Sequence, residues 1–408
     1  MLTTYSMFNI CGTFFKAVVN GSSAAAVVSS RGTPSTFQSA ACMCHAMQHK
    51  RSLSLFNGAR HYFLSRESED DDLELENPYI QYPVVTRDQM NRVAIDKYKF
   101  DFSYASFSFH STKGESAIHS LSDLSDPTSL NTLLPRRRPH GSPADTLSIK
   151  AGDDAMLVSP TVLGVADGVS GWESKGEHCS SGVWSRSMLE TLSRLLTEYK
   201  IAHYPHNLNK RDIDQIIDDS YLHTSHLMDL QNLNGSSTLV LCMLSGEYLK
   251  MISIGDSKLF VIRDGQIVKT NEEQLISELC PKQIGTQTLT QLPSEMAWVD
   301  AMKLQENDVI LLCSDGITDN LYEDEINKYL NEYLNEQNLG LRQAAQKLLS
   351  KAKEIAFDDY AFTPYNEKVN ALPKEKFGNK SSCGGKLDDM SICLARVVPN
   401  QNGGQVKA

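Results

Sequence analysis

Five short segments of this sequence set an aspartate where a strand meets a turn, and four of the five place glycine beside it. They are Gly152-Asp153-Asp154, Asp167-Gly168, Gly255-Asp256-Ser257, Asp315-Gly316 and Asp388-Asp389. Any one alone reads as a turn, because Asp bonds its own backbone and Gly takes positive φ without strain. Together they point to chemistry. Carboxylates gathered at one place repel one another unless cations hold them. No cluster of His or Cys accompanies them, so the ions that fit are Mg²⁺ or Mn²⁺, which take oxygen ligands, rather than Zn²⁺. Carboxylates shared by two such ions can fix a bridging water and lower its pKa. That supplies a nucleophile for in-line attack on phosphorus.

Apolar runs must deliver these acids. Thr161-Val162-Leu163-Gly164-Val165 leads into Asp167, Tyr248–Ile254 into Asp256, and Val309-Ile310-Leu311-Leu312-Cys313-Ser314 into Asp315. A final strand, Met390–Val398, leaves Asp388-Asp389. Residues 155–158 and 161–166 form a hairpin, as do 259–263 and 266–269 about Asp264-Gly265, a strong two-residue turn signal. Helical spacing marks Met188, Leu192, Leu195, Leu196 and Tyr199, then Ile213, Ile216, Ile217, Thr224 and Leu227. A second helix pair is predicted at 322–335 and along Leu341, Ala344, Ala345, Leu348, Leu349, Ala352 and Ile355. Strands joined by hairpins give mainly antiparallel sheets, and the helix pairs would cover the outside of a β-sandwich. In residues 97–111 aromatics alternate in one phase to Tyr104 and in the other from Phe107, which predicts a bulge or a break near Ala105-Ser106. Residues 271–302 read as irregular and 357–386 as a loop.

Among 408 residues the net charge is −11, which argues against a nucleic-acid surface and fits a soluble enzyme. The nine cysteines are scattered, and Cys242, Cys313 and Cys393 lie inside apolar runs, so neither a disulfide framework nor a zinc site is expected. Residues 1–66 contain no Asp or Glu and six basic residues, with Met7, Phe8, Cys11, Phe14, Phe15 and Val18 at helical spacing. Such an acid-free, Ser-rich, amphipathic start is the signature of a mitochondrial transit peptide, with cleavage expected between Arg60 and Arg66. A disordered leader is the alternative reading of the same composition. No stretch reaches the ~20 apolar residues of a membrane span. Seven acids in residues 67–76 open an acidic linker over 67–96. A Ser/Pro-rich segment at 112–148 reads as a mobile insertion, and its Arg136-Arg137-Arg138 triplet as solvated loop charge.

The ordered set Gly-Asp-Asp, Val-Ala-Asp-Gly-Val-x-Gly-Trp, Gly-Ser-Ser-Thr, Gly-Asp-Ser, Ser-Asp-Gly-Ile-Thr-Asp-Asn and Gly-Gly-Lys-x-Asp-Asp resembles the metal-dependent protein phosphatases of the 2C type. It is most similar to the mitochondrial-matrix branch of that family. The resemblance covers roughly residues 98–398 and implies an α+β fold, an αββα four-layer sandwich, with the catalytic domain at 97–398 and a tail at 399–408. It implies two Mg²⁺ or Mn²⁺ ions, with a weaker third in relatives. Asp167 would bridge the ions, the Gly168 carbonyl would bind one, and Asp315 and Asp388 the other. Asp154, with Asp153, would hold water at the metals. Asp256 and Asp319 would match the acids of the third ion, and Gly235 to Thr238 would shape the sheet near the site. Substrates would be phosphoproteins of mitochondria, dephosphorylated at serine and threonine.

Three places depart from the pattern, and at one of them Asp153 stands where many relatives have Glu, a shorter reach. Val169 stands where many relatives have a histidine proposed as general acid, which leaves His178 as a weak substitute. Ile149 and Lys150 stand where relatives use an arginine for phosphate; Lys150 can serve as a point charge without bidentate geometry. The last two departures favour the competing reading, a pseudophosphatase or scaffold on the same fold. Retention of every core acid opposes it, since buried carboxylates without a use are costly. A small-molecule phosphomonoesterase shares the site chemistry, and turnover on phosphopeptides against metabolites separates the two.

Overall fold

The computed structural model describes residues 96–109, 136–139, 141–143, 145–170, 179–203, 207–286, 291–373 and 381–400. The chain divides into two units, 1–81 and 82–408, and every described residue belongs to the second. The expected leader, the acid run and the larger part of the insertion lie outside the described residues.

The first half holds β1 (Tyr98–Phe107), β2 (Arg136–Arg137), β3 (Leu147–Ala151), β4 (Asp154–Val158), β5 (Val162–Ala166), α1 (Ser181–Ala202) and α2 (Lys210–Leu230). Then come β6 (Ser236–Ser237), β7 (Leu239–Ser245), β8 (Tyr248–Ile254), β9 (Lys258–Arg263), β10 (Gln266–Thr270), β11 (Leu275–Ser277), β12 (Cys280–Pro281) and β13 (Ile284–Gly285). The last part holds α3 (Pro293–Met296), β14 (Trp298–Lys303), β15 (Val309–Cys313), α4 (Asp315–Thr318), α5 (Glu323–Asn331), α6 (Leu341–Ala356), α7 (Pro364–Asn370) and β16 (Met390–Pro399).

Two antiparallel sheets carry the fold, in the orders β14-β8-β7-β5-β4-β3-β2 and β1-β16-β15-β9-β10. Between them lies one core, in which Met156, Leu163, Val165, Val240 and Cys242 of the first sheet meet Leu259, Val261, Ile310, Leu312 and Cys393 of the second. The outer face of the second sheet, Phe260, Leu311, Ile392 and Leu394 among others, packs on Ile326, Leu330, Ala344, Leu348 and Ala352 of α5 and α6. On the far side α1 covers the first sheet and α2 packs on α1. The architecture is therefore the expected αββα sandwich. Both faces of the central strands are covered, so β4, β5 and β7 are buried at every residue and lose the alternation of a half-exposed strand. The thiols of Cys242 in β7, Cys313 in β15 and Cys393 in β16 are buried and are not disulfide-bonded. No described helix is long and apolar enough to cross a membrane.

Helix ends follow local chemistry. Ser180 caps α1 by accepting from the Val183 amide at 3.2 Å. Asn209 and Asp212 form a reciprocal capping box at α2. At the β9–β10 hairpin Asp264 (φ 49°) and Gly265 (φ 77°) take the left-handed conformations that a two-residue turn requires.

Four expectations are corrected. β1 does not break: it pairs with β16 from Tyr98↔Pro399 to Phe107↔Met390 without a register shift. Its aromatics change phase because the strand is covered on different faces along its length. Phe100 faces the inter-sheet core, whereas Ala105 and Phe107 face α6. Residues 298–303 are a regular edge strand on β8 rather than irregular chain. The segment 357–386 contains α7, started by Thr363, whose hydroxyl accepts from the Asn366 amide, and by Pro364. The basic triplet is solvated only in part: Arg136 and Arg138 are exposed as expected, but Arg137 grips Glu190 of α1 through two bonds of 2.6 and 2.7 Å, and Arg138 donates to the Ser142 carbonyl.

Candidate metal centre

The predicted acids arrive from both sheets. Asp167 follows β5, Asp256 follows β8 and Asp154 opens β4, all on the first sheet. Asp315 follows β15 and Asp388 precedes β16, on the second. The topology makes these ends adjacent, and close backbone contacts fix the distance. A Cβ on Gly168 would lie 2.2 Å from the Asp153 carbonyl oxygen, and one on Gly316 would lie 2.1 Å from that of Asp389. Only glycine allows either approach. Gly168 is held against Ser237 by its neighbours: the Thr238 amide donates to the Asp167 carbonyl at 2.8 Å, and the Val169 amide donates to that of Ser236 at 3.0 Å. The Gly-Ser-Ser-Thr segment thus shapes the site by pinning the Asp-Gly turn.

One carboxylate oxygen from each of Asp167, Asp256 and Asp315 lies within 4.8 Å of the others. Burial pushes the Asp167 carboxyl well above its ordinary range, and the charges of Asp315, Asp154 and Asp388 push it further. Burial, then Asp315 and Asp319, does the same to Asp256; burial, then Asp389, does the same to Asp154. Asp154 Oδ2 and Asp256 Oδ1 are buried without a hydrogen-bond partner. Buried, mutually repelling carboxylates with unmet oxygens, and no imidazole or thiolate within that set, are the donor set of a hard divalent cation. The residues present therefore fit Mg²⁺ or Mn²⁺.

Asp315 also belongs to a second group. Asp315, Asp319 and Asp388 surround one ammonium: Lys386 Nζ lies 2.6 Å from Asp315 Oδ2, 2.7 Å from Asp319 Oδ2 and 3.0 Å from Asp388 Oδ2. Lys368 adds a second ammonium on Asp319, at 3.2 Å, and on Glu273, at 3.0 Å. Burial pulls Lys386 down, but Asp315, Asp319 and Asp388 outweigh it and hold its pKa well above the usual lysine value. Asp256 thus stands beside Asp167 and Asp315, while Asp388 joins the group through Lys386.

Three further residues surround the acids. Asp153 turns its Oδ1 to the Gly182 amide in the first turn of α1, at 3.2 Å, and its carbonyl accepts from Ser185 Oγ at 2.7 Å. Lys150 lies on β3, where burial lowers its pKa to about 8 against the pull of Asp153 and Asp389. Val169 presents an alkyl side chain, and its carbonyl accepts from Ser181 Oγ at 2.5 Å. His178 lies outside the described residues.

Sequence reasoning gave no role to Lys386 or Lys368, and none to Asp389 beyond its place in the Asp388-Asp389 pair. A lysine flanked by Gly-Gly and by Asp-Asp was the available signal for the first. Asp389 accepts from the Phe109 amide at 2.6 Å and the Asp153 amide at 2.8 Å, a contact that no local pattern foretells.

A family model described as "Protein phosphatase 2C" matches residues 149–363. A Drosophila willistoni protein named "Protein phosphatase PTC7 homolog fig" is 29% identical over 307 residues, covering 70% of this chain and 90% of that one. The Arabidopsis thaliana "Probable protein phosphatase 2C 26" is 28% identical, covering 64% of this chain and 82% of its own length. With the rice "Probable protein phosphatase 2C 71" the identity is 28%, over 64% of this chain and half, 50%, of the rice protein. Among solved structures, that of the photosystem II phosphatase PBCP is 28% identical, covers 60% of this chain and 91% of its own, and superposes with a TM-score of 0.49.

Proposed function

Because the chain belongs to the protein phosphatase 2C family and carries the domain of a protein serine/threonine phosphatase, we propose that the whole protein hydrolyses phosphoserine and phosphothreonine on mitochondrial matrix proteins with two Mg²⁺ or Mn²⁺ ions. The observation that supports it most is the meeting of Asp167, Asp256 and Asp315 within 4.8 Å, with a buried oxygen of Asp256 unmet. Asp167 and the Gly168 carbonyl on one side, and Asp315 and Asp388 on the other, would hold the ions, with Asp154 beside them. When bound, the ions lower the pKa of water and neutralise charge on the transferring phosphoryl group. The protein's own residues hold that arrangement in place. Asp389 and Gly316 keep the second sheet's acids against the first, and the Ser236–Thr238 segment keeps Asp167 in position. Lys150 is the candidate point charge for the substrate phosphate. Val169 offers no proton to the leaving group, so none is assigned to it.

The test is phosphate release from phosphoserine and phosphothreonine peptides by the full chain with Mn²⁺, with Asp167→Ala and Asp315→Ala as folded controls. No release by the wild-type protein overturns the proposal. The matrix location is supported by the acid-free first 66 residues with six basic side chains. Sequencing of the protein recovered from cells would show a start within or after Arg60–Arg66; a start at Met1 overturns it.

A further inference from the structure

Lys386 is not a surface lysine that drifts onto nearby acids. Its backbone is clamped by the buried side chain of Asn320, which accepts from the Lys386 amide at 2.9 Å and donates to the Lys386 carbonyl at 2.8 Å. The same Asn320 amide group donates to the Gly316 carbonyl at 2.9 Å, so one side chain ties the lysine to the turn that bears Asp315. The preceding glycines are anchored too, Gly384 on the Ala361 carbonyl at 2.8 Å and Gly385 on that of Asp358 at 2.9 Å. The Tyr365 ring lies 5.4 Å from Nζ. The ammonium has three N–H donors and faces three carboxylate oxygens, at 2.6, 2.7 and 3.0 Å. Three carboxylate oxygens about one point are also what a small divalent ion needs, at slightly shorter range. Asp154 and Asp256, by contrast, keep buried oxygens with no partner.

We propose that Lys386 is a resident counter-cation: it takes Oδ2 of Asp315, Asp319 and Asp388, excludes a further divalent ion from that point, and leaves the other oxygens of Asp315 and Asp388 for the two ions of the centre. The inference rests on the metal-dependent reading above. It makes Lys386 a specificity-determining residue for ion number, with Lys368 backing it on Asp319.

The experiment counts ions. Full-length wild-type protein, Lys386→Met, Lys386→Arg and Lys386→Met/Asp319→Asn are dialysed against MnCl₂, and bound Mn²⁺ per chain is measured by elemental analysis and by calorimetric titration. Expected values are two for wild type and Lys386→Arg, three for Lys386→Met, and two again for the double variant. Lys386→Gln, neutral but polar, gives the same count of three and serves if Lys386→Met does not fold. A neutral variant that binds the same number of ions as wild type with unchanged affinities overturns the inference while leaving the phosphatase reading intact. Three ions on the wild type also overturn it. No Mn²⁺ on the wild type overturns both.

Discussion

The backbone amide of Asp153 donates to Oδ2 of Asp389 at 2.8 Å, across 236 positions of sequence. The contact joins the β3–β4 turn of one sheet to the start of β16 in the other, and Oδ1 of the same carboxylate accepts from the Phe109 amide at 2.6 Å. Asp389 is 3% exposed, so cutting it back would remove the buried acceptor of the Asp153 amide. Asp389→Ala is expected to cost about 1–3 kcal/mol in chemical denaturation, chiefly from the buried Asp153 amide that loses its acceptor. It should also weaken Mn²⁺ binding in calorimetry, because Asp154 and Asp388 flank the displaced segment. A variant with wild-type stability would show that this contact does not hold the sheets' ends together.

The metal-ligand acids should trade stability against activity. Asp256 is buried and repelled by Asp315 and Asp319. Asp256→Asn removes one of these charges and should raise the metal-free Tm by a few degrees, at about 2–4 °C per kcal/mol for a domain of this class. Asp167→Asn should instead lower phosphate release by about 10³-fold, the loss of several kcal/mol of charge stabilisation at about 1.4 kcal/mol per tenfold. Mn²⁺ at a hundred times its dissociation constant should stabilise the wild type by about 2.7 kcal/mol, and Asp167→Asn by less. Thermal melts with and without Mn²⁺ check all three, beside the phosphate assay.

Gly316 is fixed by contact rather than by its own backbone angles. The Cβ of an alanine there would meet the Asp389 carbonyl oxygen at 2.1 Å and that residue's carbonyl carbon at 3.1 Å. Backbone cannot rotate away as a side-chain end can, so β16 would have to move. Gly316→Ala should cost about 1–3 kcal/mol and shift Asp388 with it. Gly340, the N-cap of α6, where an added Cβ meets nothing within 4 Å, is the control, and Gly340→Ala should cost about 1 kcal/mol or less through weaker capping and leave activity unchanged.

A buried ion triad away from the centre should give acid sensitivity. Glu190 of α1 is held by Arg137 at 2.6 Å and Arg186 at 3.1 Å. Burial raises its carboxyl, but the two guanidinium groups outweigh that and leave it below its ordinary value of 4.5. A carboxyl lowered in the folded state contributes stability that is fully present above pH 4.5 and lost as pH falls through the lower folded value. Glu190→Ala should cost about 3–5 kcal/mol at neutral pH, because Arg186, 2% exposed, is left without its counter-charge. The variant should also show a shallower loss of stability below pH 4.5; an unchanged acid limb of the denaturation profile would count against the triad.

By itself the sequence determined the strands that carry the centre, the helix pairs around them and the acids at their ends. These are properties of short range. Val309–Cys313 is apolar at every position because both faces are covered, and glycine beside aspartate marks a turn wherever it falls. The same local reading failed where partners came from afar. β1 stays unbroken because α6 covers the face that Phe107 turns to, and Arg137 is ordered because Glu190 lies 53 positions away. Which acids share one point was decided only by the packing of two sheets. That packing placed Asp256 beside Asp167 and Asp315, turned Asp153 toward α1, and set Lys386 among carboxylates up to 71 positions distant. Charge at such a point is a sum over distances, and a linear chain specifies residue types without specifying those distances.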